Sequence, residues 1–335
     1  MRKVFGLLLV AAALMLAVVP SFAQETPGTI ADIVVASAAA DAPEFATLLV
    51  AVQAADPAVL EALANPELSL TVFAPTDAAF AALAEALGEE AFAAVLADPA
   101  ALTDILLFHV LDGAAMSTDV VAALEAGDGA AAFPTLNGQY IDVATTEEGG
   151  ITVNGANLNL EMVDIMASNG IIHVIDAVIL PESRTIAEIV VASSSMMDTP
   201  EFTLLLAAVG AADPSVLEAL SDPEAELTVF APTDAAFTAL GEDTLNAVLA
   251  DPALLSSILL YHVVPGVIHS DDLVGMLTDA ENMTLEVQTA QGSTVTFMAN
   301  DDGVFINDAQ IVVTNVDAAN GVIHVIDAVI LPPME

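Results

Sequence analysis

Cysteine is absent from the 335 residues, which removes disulfides, thiolate metal sites, a thiol nucleophile and any lipid-bearing cysteine. Basic residues are nearly as scarce: Arg2, Lys3 and Arg184 stand against 47 acidic residues. Such a balance excludes nucleic acid and anionic lipid as partners. Beyond the first residues no stretch approaches the ~18 unbroken apolar residues of a spanning helix, so no membrane insertion is expected. Without disulfides the fold must rest on its cores, and 56% hydrophobic residues supply the material for them.

Residues 1–23 carry Arg2 and Lys3, then the apolar run "FGLLLVAAALMLAVV", then Ser21-Phe22-Ala23. This is the pattern of a cleaved secretory signal peptide, with the mature chain starting near Gln24. The expected location is secreted, extracellular or cell-surface associated, or periplasmic if the source has an outer membrane. After residue 23 only Arg184 opposes the acids, which divide evenly between the two halves. Salt or Ca²⁺ should relieve the self-repulsion by weak, non-specific association. A saline habitat would account for such a surface, although only 15% of residues are charged, fewer than a typical halophilic surface carries.

What the chain does contain is a duplication. "TIADIVVAS" (29–37) returns as "TIAEIVVAS" (185–193), "TVFAPTDAAF" (71–80) returns unchanged at 228–237, "LLFHV" (106–110) returns as "LLYHV" (259–263), and "NGIIHVIDAVILP" (169–181) returns as "NGVIHVIDAVILP" (320–332). The order is the same in both halves, so one domain is present twice, at 26–182 and 183–333. The second copy is four residues shorter between the "APTDAAF" block and "AVLADPA", about one helical turn. The join "LPESRTIAEIV" is too short for freely jointed bodies.

Each copy opens with helical patterns and closes with strands. Asp56-Pro57 and Asp98-Pro99 read as helix starts, a capping residue followed by a first-turn proline. "LSLTVFA" reads as a strand ending at Pro75, after which Thr76 and Asp77 cap a helix bearing Phe80. Helices first and strands later predict an α+β domain with a largely antiparallel sheet, folded into a sandwich or wedge and flanked by helices.

The chemical candidates resolve toward structure. His173 and Asp176, like their counterparts in the second copy, lie three apart in a segment rich in Ile and Val. In a strand they face opposite sides, His173 with Ile171, Ile175 and Ile179, Asp176 with Val174 and Val178. Both rows are mostly apolar, so His173 and His324 are expected to be core imidazoles with local hydrogen bonds. His109 and His262 end apolar helices. Asp77 and Asp234 are the carboxylates that could orient them, either for catalysis or as a structural tie. No nucleophile accompanies such a pair: Ser194 and Ser195 correspond to Ala38 and Ala39. His269, Asp271 and Asp272 could begin a metal site, but Met116 takes the place of His269 in the first copy, and no metal site is expected. "NDDG" (300–303) reads as a hairpin turn rather than a calcium loop, and Asn282 heads a glycosylation sequon. No catalytic residue, cofactor or enzymatic activity is expected.

Together, "TVFAPTDAAF", "FHV" or "YHV", and "NGIIHVIDAVILP" resemble the three signature blocks of the fasciclin domain family, in the family's order and in both halves. The resemblance implies two tandem domains, each a wedge-shaped β-sandwich flanked by helices. It also implies non-catalytic work outside the cell: adhesion, association with extracellular matrix, or surface attachment. The structural motif residues are then Thr76, Asp77, His109 and His173, with Thr233, Asp234, His262 and His324. Some animal members recognise integrins through an Asp-Ile pair just before the Asn-Gly block. Asp164, Ile165 and Met166 hold that place here and are the candidate partner-contact residues; Asn315 and Val316 stand there in the second copy. The leader looks bacterial, so a cell-surface or matrix protein or a polysaccharide, and self-association, are the partners implied. An extracellular carrier of a small hydrophobic ligand or polysaccharide is the alternative, and a hydrolase is a more distant one.

Overall fold

A computed structural model describes residues 27–40, 43–127, 129–196, 200–300 and 302–333. The signal-peptide segment, 1–23, lies outside the described residues.

The first copy runs α1 (Ile30–Ala38), α2 (Ala46–Ala54), α3 (Pro57–Ala64), β1 (Leu70–Pro75), α4 (Asp77–Leu87), α5 (Glu89–Leu96), α6 (Pro99–Phe108), β2 (Val110–Asp112) and α7 (Ser117–Ala126). The strands β3 (Ala130–Pro134), β4 (Tyr140–Thr145), β5 (Ile151–Val153), β6 (Ala156–Asn157), β7 (Ile165–Ala167) and β8 (Gly170–Ile175) follow. The helix starts have local causes. Asp56 and Asp98 accept backbone amides ahead of a first-turn proline, and the Thr76 hydroxyl accepts the Ala79 amide.

Two four-stranded sheets result, β2-β1-β8-β7 and β3-β4-β5-β6, tied by single bridges at Leu111–Thr135 and Leu158–Ile175. The pairing is largely antiparallel, with one exception at the centre: β1 and β8 run parallel, in register from Leu70 opposite Gly170 to Pro75 opposite Ile175. Strands joined by so long a crossover can pair in parallel, and this pair is buried on both faces, as parallel strands are. Leu70, Val72, Ala74, Ile172 and Val174 pack into the helical core with Ile30, Val52 and Leu106. Phe73 and Ile175 point the other way, into the space between the sheets, with Phe108, Ile141 and Val143. Each such large apolar side chain contributes about 1.5–3 kcal/mol on burial, and the two cores together replace the absent disulfides. The closing strand stops at Ile175, sooner than its β-branched composition predicts. Asp176 turns out of it and accepts the Asn157 amide at 2.7 Å and the Asn157 side chain at 2.8 Å.

The second copy repeats the order: α8 (Ile186–Ser194), α9 (Thr203–Ala211), α10 (Pro214–Ser221), β9 (Leu227–Pro232), α11 (Asp234–Ala239), α12 (Glu242–Leu249), α13 (Pro252–Tyr261), β10 (Val263–Pro265) and α14 (Ser270–Asp279). Its strands are β11 (Thr284–Gln288), β12 (Thr294–Asn300), β13 (Gly303–Ile306), β14 (Ala309–Ala318) and β15 (Gly321–Ile326). Here the ten-residue β14 spans what are two sheets in the first copy, giving one seven-stranded sheet, β10-β9-β15-β14-β13-β12-β11. The four-residue deletion shortens a helix: α4 has 11 residues and α11 has 6, the fifth residue of difference being Leu240, which caps α11 where its counterpart Leu87 is the last residue of α4. Phe80 and Phe237 remain buried on the same face.

Candidate functional site

The Asn-Gly block explains itself once its neighbours are known. Asn169 is 2% exposed; its side-chain oxygen accepts the Ile30 amide at 2.8 Å, and its nitrogen donates to the carbonyls of Leu63 and Asn65. One amide side chain therefore joins the start of α1 to the end of α3. Asn320 does the same for α8 and α10. Gly170 passes so close to β1 that an added Cβ would lie 1.9 Å from the Leu70 carbonyl oxygen, at a φ of +150°. Only glycine fits there.

All four motif histidines are buried and bonded through both ring nitrogens. His109 donates from Nδ1 to the Ile105 carbonyl at 2.7 Å and accepts the Ile179 amide on Nε2 at 3.2 Å. His262 repeats this with Ile258 and Ile330. Burial pushes the pKa of both imidazoles down to about 4. His173 donates from Nε2 to the Ala115 carbonyl at 2.9 Å, accepts the Asp164 amide on Nδ1 at 3.3 Å, and lies 5.6 Å from the Phe73 ring. His324 holds Ile268 and Asn315 in the same way, and burial lowers its pKa.

Asp77 and Asp234 do not meet these imidazoles. Asp77 accepts the amides of Ala46 and Thr47 at 3.2 and 2.6 Å, closing the N-terminus of α2, a helix without a side-chain cap of its own. Burial opposes ionisation of Asp77, but these bonds outweigh it and hold the carboxyl below its ordinary value. Asp234 takes the Thr203 amide and hydroxyl and the Leu204 amide.

The three candidate contact residues divide. Asp164, at a left-handed φ of 54°, accepts the Ser117 amide at 2.7 Å and its hydroxyl at 2.5 Å, fixing α7 to the start of β7. These bonds overcome its partial burial and lower its pKa. Asn315 makes the matching contacts with Ser270. Ile165 is half-buried, and Met166 is 53% exposed. Only Met166 offers most of its side chain to a partner.

Sequence reasoning did not anticipate the junction between the copies. Tyr140 donates its amide to Asp317 at 2.6 Å and its hydroxyl to Asp271, and its ring lies 4.4 Å from that of His269. His269 in turn is 3.0 Å from Asp317. Burial first, then the bond to Asp271, raises the Tyr140 pKa and keeps the phenol a donor. Gln139 exchanges two hydrogen bonds with the backbone of Glu182 beside it. The available signal was the difference between copies: Thr294, Met116 and Met166 stand where the junction has Tyr140, His269 and Asp317.

Among the described residues no group of three or more His, Asp or Glu side chains is arranged to hold a metal ion. No single described helix is long and apolar enough to cross a membrane. An apolar cavity of about 40 Å³ lies among Val190, Leu205, Val209 and Leu220, far below the ~150 Å³ that accommodates benzene.

The fasciclin domain model matches residues 43–181 and 200–332. Protein sll1483 of Synechocystis is 46% identical over 135 residues, 40% of this chain and 68% of the relative. Transforming growth factor-beta-induced protein ig-h3 of Sus scrofa is 30% identical over 266 residues, 79% of this chain but only 35% of the relative's own length. A solved FAS1 domain pair from the insect cell adhesion molecule fasciclin I aligns with a TM-score of 0.40 at 18% identity, covering 88% of this chain and 98% of the pair.

Proposed function

This chain belongs to the fasciclin domain family, and from that premise we propose that it is a non-catalytic adhesion or matrix-association protein. It acts outside the cell and binds other surface macromolecules, proteins or polysaccharides, through the exposed faces of its two domains. One observation carries this reading: the side chains that could have done chemistry already serve as internal fasteners. His109, His173, His262 and His324 each use both ring nitrogens on backbone groups, and Asp77, Asp164 and Asp234 hold helix N-termini. Work is left to the surface, where Met116, Leu160, Met166 and Val121 are among the exposed apolar side chains.

Cells lacking the protein, or treated with antibody against it, should attach less to surfaces and aggregate less, and added purified protein should restore both. Attachment unchanged on every surface, with and without calcium, would overturn the reading.

A further inference from the structure

Two surfaces of this fold are present twice and used once. Inside the chain, the turn between β3 and β4, with Tyr140 at its end, docks on a face of the second domain made by the start of α14 and by β14. Tyr140 donates its amide to Asp317 and its hydroxyl to Asp271, and its ring lies 4.4 Å from that of His269. Duplication gives the second domain the same turn. Thr289 and Gly292 close residues 289–294 with the backbone bonds that Thr135 and Gly138 make in 135–140. Duplication likewise gives the first domain the same face. Asp164 holds Ser117 beside β7 as Asn315 holds Ser270 beside β14, so Met116 and Met166 occupy the places of His269 and Asp317.

Exposure separates the used copies from the unused ones. His269 is 7% exposed under the first domain, whereas Met116 is 40% and Met166 53% exposed. Tyr140 is half-buried and its counterpart Thr294 is exposed.

The chemistry of the unused pair has changed on both sides together. On the turn Tyr140 becomes Thr294; on the face His269, Asp271 and Asp317 become Met116, Thr118 and Met166. Residues 289–294 carry no charge, so seating them against these three side chains leaves no unpaired charge on either of the changed surfaces. Methionine adapts its shape to an irregular neighbour. In a chain with 47 acidic residues, an uncharged turn and an uncharged face are where two copies can meet once salt screens the remainder.

We propose that the Met116–Met166 face of one molecule receives the 289–294 turn of a second copy, joining the chains head to tail. The contact is heterologous, so a pair still offers one turn and one face. The series runs on or closes into a ring according to the rotation between successive domains. One turn on one face is a small contact, and association therefore belongs to high local concentration, where many weak contacts act together. The inference does not rest on the adhesion reading: chains that associate without promoting attachment would keep the first and lose the second.

Sedimentation velocity on the purified protein tests it, from micromolar to millimolar concentration at low and molar salt. In molar salt the unaltered protein should form oligomers that grow with concentration, and low salt should suppress them. A face variant, Met116→Glu with Met166→Asp, and a turn variant, Thr294→Glu, should each stay monomeric at every concentration. All three substitutions fall on exposed side chains, and circular dichroism and melting check that both variants fold. Mixed together, the two variants should form pairs and nothing larger, because each retains the surface the other lacks. A monomeric unaltered protein throughout, oligomers persisting in the turn variant, as a Met face pairing with itself would give, or folded variants that fail to pair when mixed would each overturn the proposal.

Discussion

The imidazole of His109 receives the amide of Ile179 on Nε2, seventy residues further along the chain, while its Nδ1–H is given to Ile105. Protonating Nε2 would aim a donor at a donor inside an apolar core. His262 and Ile330 stand in the same relation.

Acid should therefore destabilise both domains through these rings. Their folded pKa of about 4 lies below the ordinary 6.5, so between these values the unfolded chain binds more protons. The contribution is fully present above about pH 6.5 and is lost as pH falls toward 4, on the order of 3 kcal/mol per ring. Relief of carboxylate repulsion acts in the opposite sense, so the measurement is comparative. Urea unfolding from pH 7 to 4.5 should show a stability slope about one proton shallower in His262→Gln than in the unaltered protein.

Gly170→Ala should prevent the first domain from forming. Its Cβ would lie 1.9 Å from the Leu70 carbonyl at a φ hostile to alanine, and relieving that contact means separating β1 from β8. The expected cost exceeds about 4 kcal/mol, the range of exceptional single substitutions. Calorimetry should find the second domain's transition retained and the first lost, and Gly321→Ala should reverse the pattern.

Asp164→Asn should leave stability within about 0.5 kcal/mol, because Asn315 performs the equivalent task with Ser270. Asp164→Ala should cost about 1–2 kcal/mol by orphaning the Ser117 amide. Met166→Lys should not change stability and should weaken attachment if the β7 edge meets the partner. Denaturation curves and an attachment assay on the same three proteins separate fastening from contact.

Melting temperature should rise from low to molar salt, and Ca²⁺ should act at lower concentration than Na⁺, since 47 acidic residues crowd one chain. A flat dependence would show that the surface charges are too dispersed to oppose folding.

What could be read in advance was whatever has a local cause. Thr76, Asp56-Pro57 and Asp98-Pro99 announced their helices because a cap and its amide lie within three residues of one another. The alternation through Ile172, His173 and Val174 sorted the two faces of β8 correctly, because a strand has a fixed period. Parallel pairing of β1 with β8 carries no such mark, since partners a hundred residues apart share no pattern. The early end of β8 was hidden for a related reason: Val178 and Ile179 suit a strand, but Asp176 bonds to Asn157 and turns the chain. Tyr140 was missed because a contact between domains imposes no period on either. Its trace was only that the second copy has threonine there.

The last strand of each domain is laid between two earlier ones, β8 between β1 and β7, β15 between β9 and β14. Neither sheet can close until that domain's final residues have been delivered. During synthesis or export the first domain has its whole sequence available by about residue 180, before most of the second exists. The duplicate sequences that could pair wrongly with each other are thus separated in time, and the first copy has left the contest before its twin arrives.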